Sequence, residues 1–249
     1  MISVTWLGHA TVLIEVDGAR LLTDPVLRDR VGTLVRIAGP AERPGPVDAV
    51  LLSHLHADHA DAASLELVES PLAVAPSGAG AWLAKHTTAE VRELRTGEGL
   101  SVAGVRVEAT PAAHDGRRWP VGGARAEPLG YVVRGDSGSV YFAGDTELFP
   151  EMAALTGTID IALLPVAGWG PTLGPGHLDA ERAARAAALI APRVAVPIHW
   201  GTFAPVWPLR RHRDPSRPPR EFAALVAERA PEVDVRVLAP GERTECARG

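Results

Sequence analysis

Short, wholly apolar runs recur along this chain, and each stops abruptly at polar residues: "AVLLSHLHADH" from Ala49, "YFAGDTE" from Tyr141, "IDIALLPVAG" from Ile159 and "RVAVPIHWGTF" from Arg193. An apolar run of this length without polar alternation reads as a strand covered on both faces, and such strands need a layer on either side. The architecture expected is two sheets packed face to face with helices outside, in one domain across residues 1–249. Each strand then delivers its polar residues at its C-terminal end.

The local signals fill in this frame. Asp17-Gly18 between "TVLIEV" and "ARLLT" marks a two-residue hairpin, so the chain opens as antiparallel sheet. Residues 28 to 46 carry Gly and Pro punctuation without a sustained period and read as a long loop. A short helix is expected from Ala62 to Val68, another around "AGAWLAKH" and a longer one over "DAERAARAAALIA". The Pro- and Arg-rich stretch from 207 to 221 reads as a surface excursion.

With 249 residues, 46% of them hydrophobic, the chain has ample material for a core, and its formal charge of -5 argues against a general nucleic-acid surface. Its single cysteine, Cys246, lies in a polar tail, which excludes a disulfide framework and a thiolate metal cluster. Any metal must be held by nitrogen and oxygen. The N-terminus lacks a basic leader, and no apolar run reaches the roughly 18 to 20 residues of a membrane span, so the expected location is the cytoplasm.

Three of nine histidines fall in "HLHADH". His54 and His56 have the period-2 spacing that puts both on one side of an extended segment, while Asp58 and His59 begin the next turn and can face a neighbouring point. That arrangement suits two ions rather than one. Further donors stand at other strand ends: His114 in "TPAAHDG", Asp145 in "FAGDTE" and His199 in "PIHWGTF". With them, two ions could each take three private ligands and share Asp145 with a bridging water between. Taken singly, His114 and His199 read as core histidines and Asp145 as a helix N-cap; the ordered set reverses that reading.

"SHLHADH", "AAHDG", "GDTE" and "IHWGTF", in this order, resemble the five-motif signature of the metallo-β-lactamase fold superfamily of binuclear metallohydrolases. The flanks "WLGHAT", "LLTDPVLRDR" and "GHLDAERA" are similar to the N-acylphosphatidylethanolamine-hydrolysing phospholipase D group and to the L-ascorbate-6-phosphate lactonase group. The resemblance implies an αββα sandwich of two mixed β-sheets with helices on the outer faces. It implies that His54, His56 and His114 hold one metal, that Asp58, His59 and His199 hold the other, and that Asp145 bridges. It also places His177 beside a bound substrate, the alternative being a packing role at a helix start. The segment after His114 departs from the phospholipase pattern, as does the missing N-terminal extension, which tells against a membrane phospholipid substrate.

The expected cofactor is two divalent ions, zinc first, with Mn2+ or Fe2+ also compatible with imidazole and carboxylate. A metal-bridging hydroxide would cleave an ester-like bond, phosphodiester or lactone, in a small-molecule or lipid-like substrate. Asp58 would orient the hydroxide, and His177 would stabilise charge on the departing or attacked oxygen. Arg117 and Arg118, after His114, are candidates for substrate anion recognition, and Trp200, Trp119 and Trp169 for the pocket lining, against a packing role for each. His9 is placed near the site or in a structural hydrogen bond; His86 and His212 are placed on the surface. The competing class is a non-hydrolytic protein of the same fold, either di-iron redox or nucleic-acid-binding. The oligomeric state stays open, a homo-oligomer included. The apolar Val31, Leu34, Val35 and Ile37 are expected to fold over the site as a pocket wall or to pack on the domain edge.

Overall fold

The computed structural model describes residues 1–39, 43–118, 123–169, 173–206 and 214–247. Trp119 and His212, named above, lie outside the described residues.

Two seven-stranded sheets form the body. The first runs in the order Arg243–Cys246, Ile2–Gly8, Thr11–Val16, Ala19–Thr23, Ala49–Leu51, Leu72–Pro76, Glu90–Leu94. The second runs Asp234–Val235, Val194–Ile198, Ile161–Pro165, Gly138–Phe142, Leu129–Gly135, Val105–Pro111, Gly99–Val102. Both are mixed, antiparallel at one side and parallel at the other.

The apolar runs have the cause the sequence suggested. In Val194–Ile198, Val194, Val196 and Ile198 join the core between the sheets, while Ala195 packs in the outer layer. Ile161 and Leu163 likewise face inward, and Ala162 and Leu164 face the helices. Both faces are dry, so no polar residue interrupts the run. The outer layer is helix Ala180–Ile190, whose buried side is mostly alanine and so admits close approach to the sheet, together with Phe222 and Val226 of helix Arg217–Arg229. Asp179 caps the first of these helices by accepting from the Arg182 N–H at 2.8 Å, a contribution of about 1 kcal/mol. The Asp17-Gly18 turn has positive φ at both residues, as a two-residue hairpin of the primed type requires.

Four expectations are corrected. Residues 28–46 are not simply a loop: Arg30–Val31 and Leu34–Arg36 form a small sheet with Phe203–Pro205, a partner far along the chain. Val31 and Leu34 are buried there with Val26 and Phe203, and Ala57 of the histidine loop packs against them. This segment therefore packs against the histidine loop through Ala57, leaving Ile37 exposed. The prolines at 218 and 219 open helix Arg217–Arg229 rather than marking a surface excursion, because the first turn of a helix needs no N–H from them; residues 207–213 lie outside the description. Cys246 is buried in an edge strand opposite Ile2, since its side chain faces the core between the sheets. The helix expected to Val68 ends at Leu65. No helix among the described residues is long and apolar enough to cross a membrane.

Candidate metal centre

Strand direction assembles the site. In the first sheet, Ile2–Gly8, Ala19–Thr23 and Ala49–Leu51 run the same way, and their C-terminal ends deliver His9, Asp24 and the 54–59 loop. In the second sheet, Val105–Pro111, Gly138–Phe142, Ile161–Pro165 and Val194–Ile198 are likewise co-directional and lead to His114, Asp145, Ala167 and His199. Leu55 is buried in the outer core, which turns its neighbours His54 and His56 to the opposite side. A turn closed by the His59 and Ala60 N–H groups on the His56 carbonyl then brings Asp58 and His59 round.

Three nitrogens meet at one point: His56 Nδ1 lies 3.0 Å from His54 Nε2 and 3.1 Å from His114 Nε2. A second group forms beside it, with His59 Nε2 3.1 Å from His199 Nε2 and both 3.9 Å from Asp58 Oδ2. Asp145 lies between, its Oδ2 3.2 Å from His59 Nε2 and its Oδ1 3.4 Å from His199 Nε2, and it also groups with His114 and His177. The seven residues expected as ligands are thus brought together in the two sets expected. His9 joins the second set: its Nε2 is 3.1 Å from Asp58 Oδ2.

The donor set fits divalent ions. His199 Nδ1 donates to the Ala167 carbonyl at 2.8 Å, His114 Nδ1 to the Gly176 carbonyl at 2.7 Å, and His59 Nδ1 to the Asp24 carboxylate at 2.7 Å. These partners only accept, so Nδ1 carries a proton in each, and Nε2 presents a lone pair wherever the ring is neutral. Ser53 Oγ donates to Asp24 Oδ2 at 2.5 Å and accepts from His54 Nδ1 at 2.9 Å, which orients His54 in the same way. Lone pairs facing one another at this spacing repel unless a cation sits among them, and a tetrahedral ion with bonds near 2.0 Å has ligand atoms about 3.3 Å apart. Asp145 Oδ1 is buried and accepts no hydrogen bond among the described residues, which leaves it free to coordinate an ion.

The electrostatics agree. Burial holds His54 well below the ordinary imidazole value, lowers His56 and brings His114 to about 4, so these three are neutral as metal binding requires. Burial opposes the charge of Asp145 and of Asp58, yet the surrounding histidines, His199 and His59 for Asp145 and His59 and His9 for Asp58, hold both carboxyls well below their usual range. Burial would also lower His59, but Asp145, Asp24 and Asp58 raise it well above the ordinary value, so this ring differs from the others in having a proton to release from Nε2 before it can ligate.

The remaining candidates divide. His177 sits at the rim, Nε2 3.5 Å from Asp145 Oδ2, with Nδ1 3.1 Å from the Pro175 carbonyl. Arg117 is exposed and pairs with Asp115. Arg118 and Trp200 find no support as substrate contacts. Arg118 Nη1 donates to the Leu55 and Ala60 carbonyls and its guanidinium lies 4.0 Å over Trp82, so it braces the histidine loop from behind. Trp200 stacks on Trp6 at 4.8 Å and donates to the Pro197 carbonyl. Trp169, by contrast, is 43% exposed and donates to Asp58 Oδ2 at 2.9 Å. Sequence reasoning missed Asp24 and Ser53; the signal available was an acid and a hydroxyl, each at the end of a buried strand.

Comparison with known proteins follows the same lines. Residues 19–200 match a family model described as "Beta-lactamase superfamily domain". A UPF0173 metal-dependent hydrolase of Methanopyrus kandleri is 35% identical over 250 residues, covering 97% of this chain and 99% of that protein. Among solved structures, Igni18, a metallo hydrolase from the hyperthermophilic archaeon Ignicoccus hospitalis, matches with a TM-score of 0.72 at 27% identity, covering 98% of this chain and 97% of that one. CmlA, a diiron beta-hydroxylase from Streptomyces venezuelae, also reaches 0.72, at 20% identity over 99% of this chain and 54% of that one; the likeness is one of fold alone.

Proposed function

Because the chain belongs to the beta-lactamase superfamily domain family, and within it to the UPF0173 metal-dependent hydrolases, we propose that it is a binuclear hydrolase cleaving an ester-like bond, phosphodiester or lactone, in a small or lipid-like substrate. The observation that carries this reading is the sharing of Asp145 between two neighbouring ligand groups. His54, His56 and His114 would hold one ion, Asp58, His59 and His199 the other, and Asp145 both. Two bound divalent ions, zinc first, supply the Lewis acidity that ionises water near neutral pH and polarises the bond to be broken.

The chain supplies the rest. Asp58 would orient the attacking water as a hydrogen-bond acceptor, a role supported by the Trp169 and His9 N–H groups that both donate to its Oδ2 and fix the carboxylate. His177 has Nδ1 pinned to backbone carbonyls and its value raised, burial being outweighed by Asp145, so its Nε2 can donate to the departing or attacked oxygen. No protein nucleophile is required. Arg117, free of the core, would meet an anionic group of the substrate at the rim.

The test is elemental analysis of the reconstituted protein, followed by a screen against phosphodiesters, lactones and thioesters. Two ions per chain with hydrolysis of one class is the expected result. A protein that takes up no transition metal, or that shows a di-iron optical spectrum without hydrolysing any class, would overturn the reading.

A further inference from the structure

His9 touches proposed ligands from both sheets at once, and it does so with different atoms. Its carbonyl accepts the His199 N–H at 2.9 Å and the Trp6 indole N–H at 2.9 Å, while its own N–H donates to Thr202 Oγ1 at 2.7 Å. Its side chain reaches the other way, Nε2 lying 3.1 Å from Asp58 Oδ2. A carboxylate only accepts, so Nε2 carries the proton. The ring is buried, lies 3.9 Å from that of His199 and meets Phe203 edge-on at 5.4 Å, which leaves it little freedom to turn. The backbone at His9 is left-handed, with φ of 54°, and so is that of His199, with φ of 62°. Non-glycine residues adopt this conformation at a cost, and here the hydrogen bonds on both sides of His9 hold it.

The geometry points to His9 as the positioning residue of the second metal group: its main chain places His199, from one sheet, and its side chain places Asp58, from the other. This rests on the binuclear reading above. It goes beyond that reading in assigning the spacing of two ligands on different sheets to a single residue that is not itself a ligand. Partners of this kind affect metal affinity or activity by about 10- to 100-fold when removed.

The experiment compares His9→Asn and His9→Gln in the full chain, loaded with zinc and, separately, with cobalt. Asparagine tolerates the left-handed backbone but falls short of Asp58, whereas the glutamine amide nitrogen reaches about as far as Nε2. We expect His9→Asn to fold with an unchanged melting temperature, to weaken one of the two ions by about 10- to 100-fold in competition with a chelator, and to alter the cobalt absorption of that site alone. His9→Gln should recover most of the affinity and the wild-type spectrum. Equal affinity and spectra for His9→Asn and the wild type would overturn the inference. So would equal impairment of both variants with a lowered melting temperature, which would make the role structural. Loss of one whole equivalent of metal in both variants would overturn it too, by making His9 a ligand. A wild-type protein that binds no pair of ions would instead defeat the binuclear reading itself.

Discussion

Asp24 is the most consequential residue outside the proposed ligand set, and its removal has a size that the structure allows to be worked out. The side chain is fully buried. Its Oδ1 accepts the Ser53 N–H at 2.7 Å, and its Oδ2 accepts Ser53 Oγ at 2.5 Å and His59 Nδ1 at 2.7 Å. One carboxylate therefore orients a histidine of each proposed ligand group, His59 directly and His54 through Ser53. Asp24→Ala strands the Ser53 and His59 N–H groups in a dry interior, at about 1–3 kcal/mol each. Together these give about 2–6 kcal/mol, which brackets the about 3–5 kcal/mol expected when one partner of a buried charged pair is lost. For a chain of this length, that lowers the melting temperature by on the order of 10 °C. Affinity for both ions should fall by about 10- to 100-fold, because His59 and His54 lose the partner that fixes their tautomer. Asp24→Asn, which keeps one acceptor oxygen but turns an amide N–H₂ towards existing donors, should fall between. The assay is denaturant unfolding of the metal-free proteins beside chelator competition on the loaded ones. A destabilisation below about 1 kcal/mol with unchanged metal affinity would refute the argument that Asp24 organises the site.

Three other outcomes are expected. A Cβ at Gly176 would stand 2.8 Å from His114 Nδ1, at a backbone φ of 82°, so Gly176→Ala should displace that imidazole and weaken metal binding at His54, His56 and His114, read by chelator competition with the fold intact by circular dichroism. His9 and His114 are lowered from 6.5 to about 4, chiefly by burial, and His54, His56 and His199 are lowered too, so the folded chain keeps neutral imidazoles that the unfolded chain protonates. The stability these five groups contribute to the metal-free protein should then be full above about pH 6.5 and fall as the pH drops towards 4, while His59 and His177, which are raised, contribute on the acid side and lose that contribution as the pH rises through their folded values; a denaturation midpoint that does not fall between about pH 6.5 and 4 would contradict it. Trp169→Phe removes the donor to Asp58 Oδ2 while keeping a ring at the rim, and should lower kcat about 3- to 10-fold with both ions retained, whereas metal loss would show that Trp169 holds the centre together.

Much of this molecule is legible in one dimension because its strongest signals are local. Apolar runs without alternation announce strands covered on both faces, Asp17-Gly18 announces a hairpin, and His54 and His56 on either side of buried Leu55 announce a shared face; each depends only on backbone period or turn conformation. The proposed ligand residues are readable for the same reason, as polar side chains placed where an apolar run ends. What the sequence could not express are partners without a side-chain signature or at long separation. The carbonyls of Ala167 and Gly176 that orient His199 and His114 belong to the main chain, which any residue would offer. Phe203–Pro205 turns an apparent loop at 30–36 into a sheet, Arg118 is drawn behind the histidine loop by the Leu55 and Ala60 carbonyls, and Trp200 is drawn onto Trp6. Only the packing of one sheet on the other decided these, because it brings strand ends from distant parts of the chain within hydrogen-bonding reach, and no local period records which ends will meet.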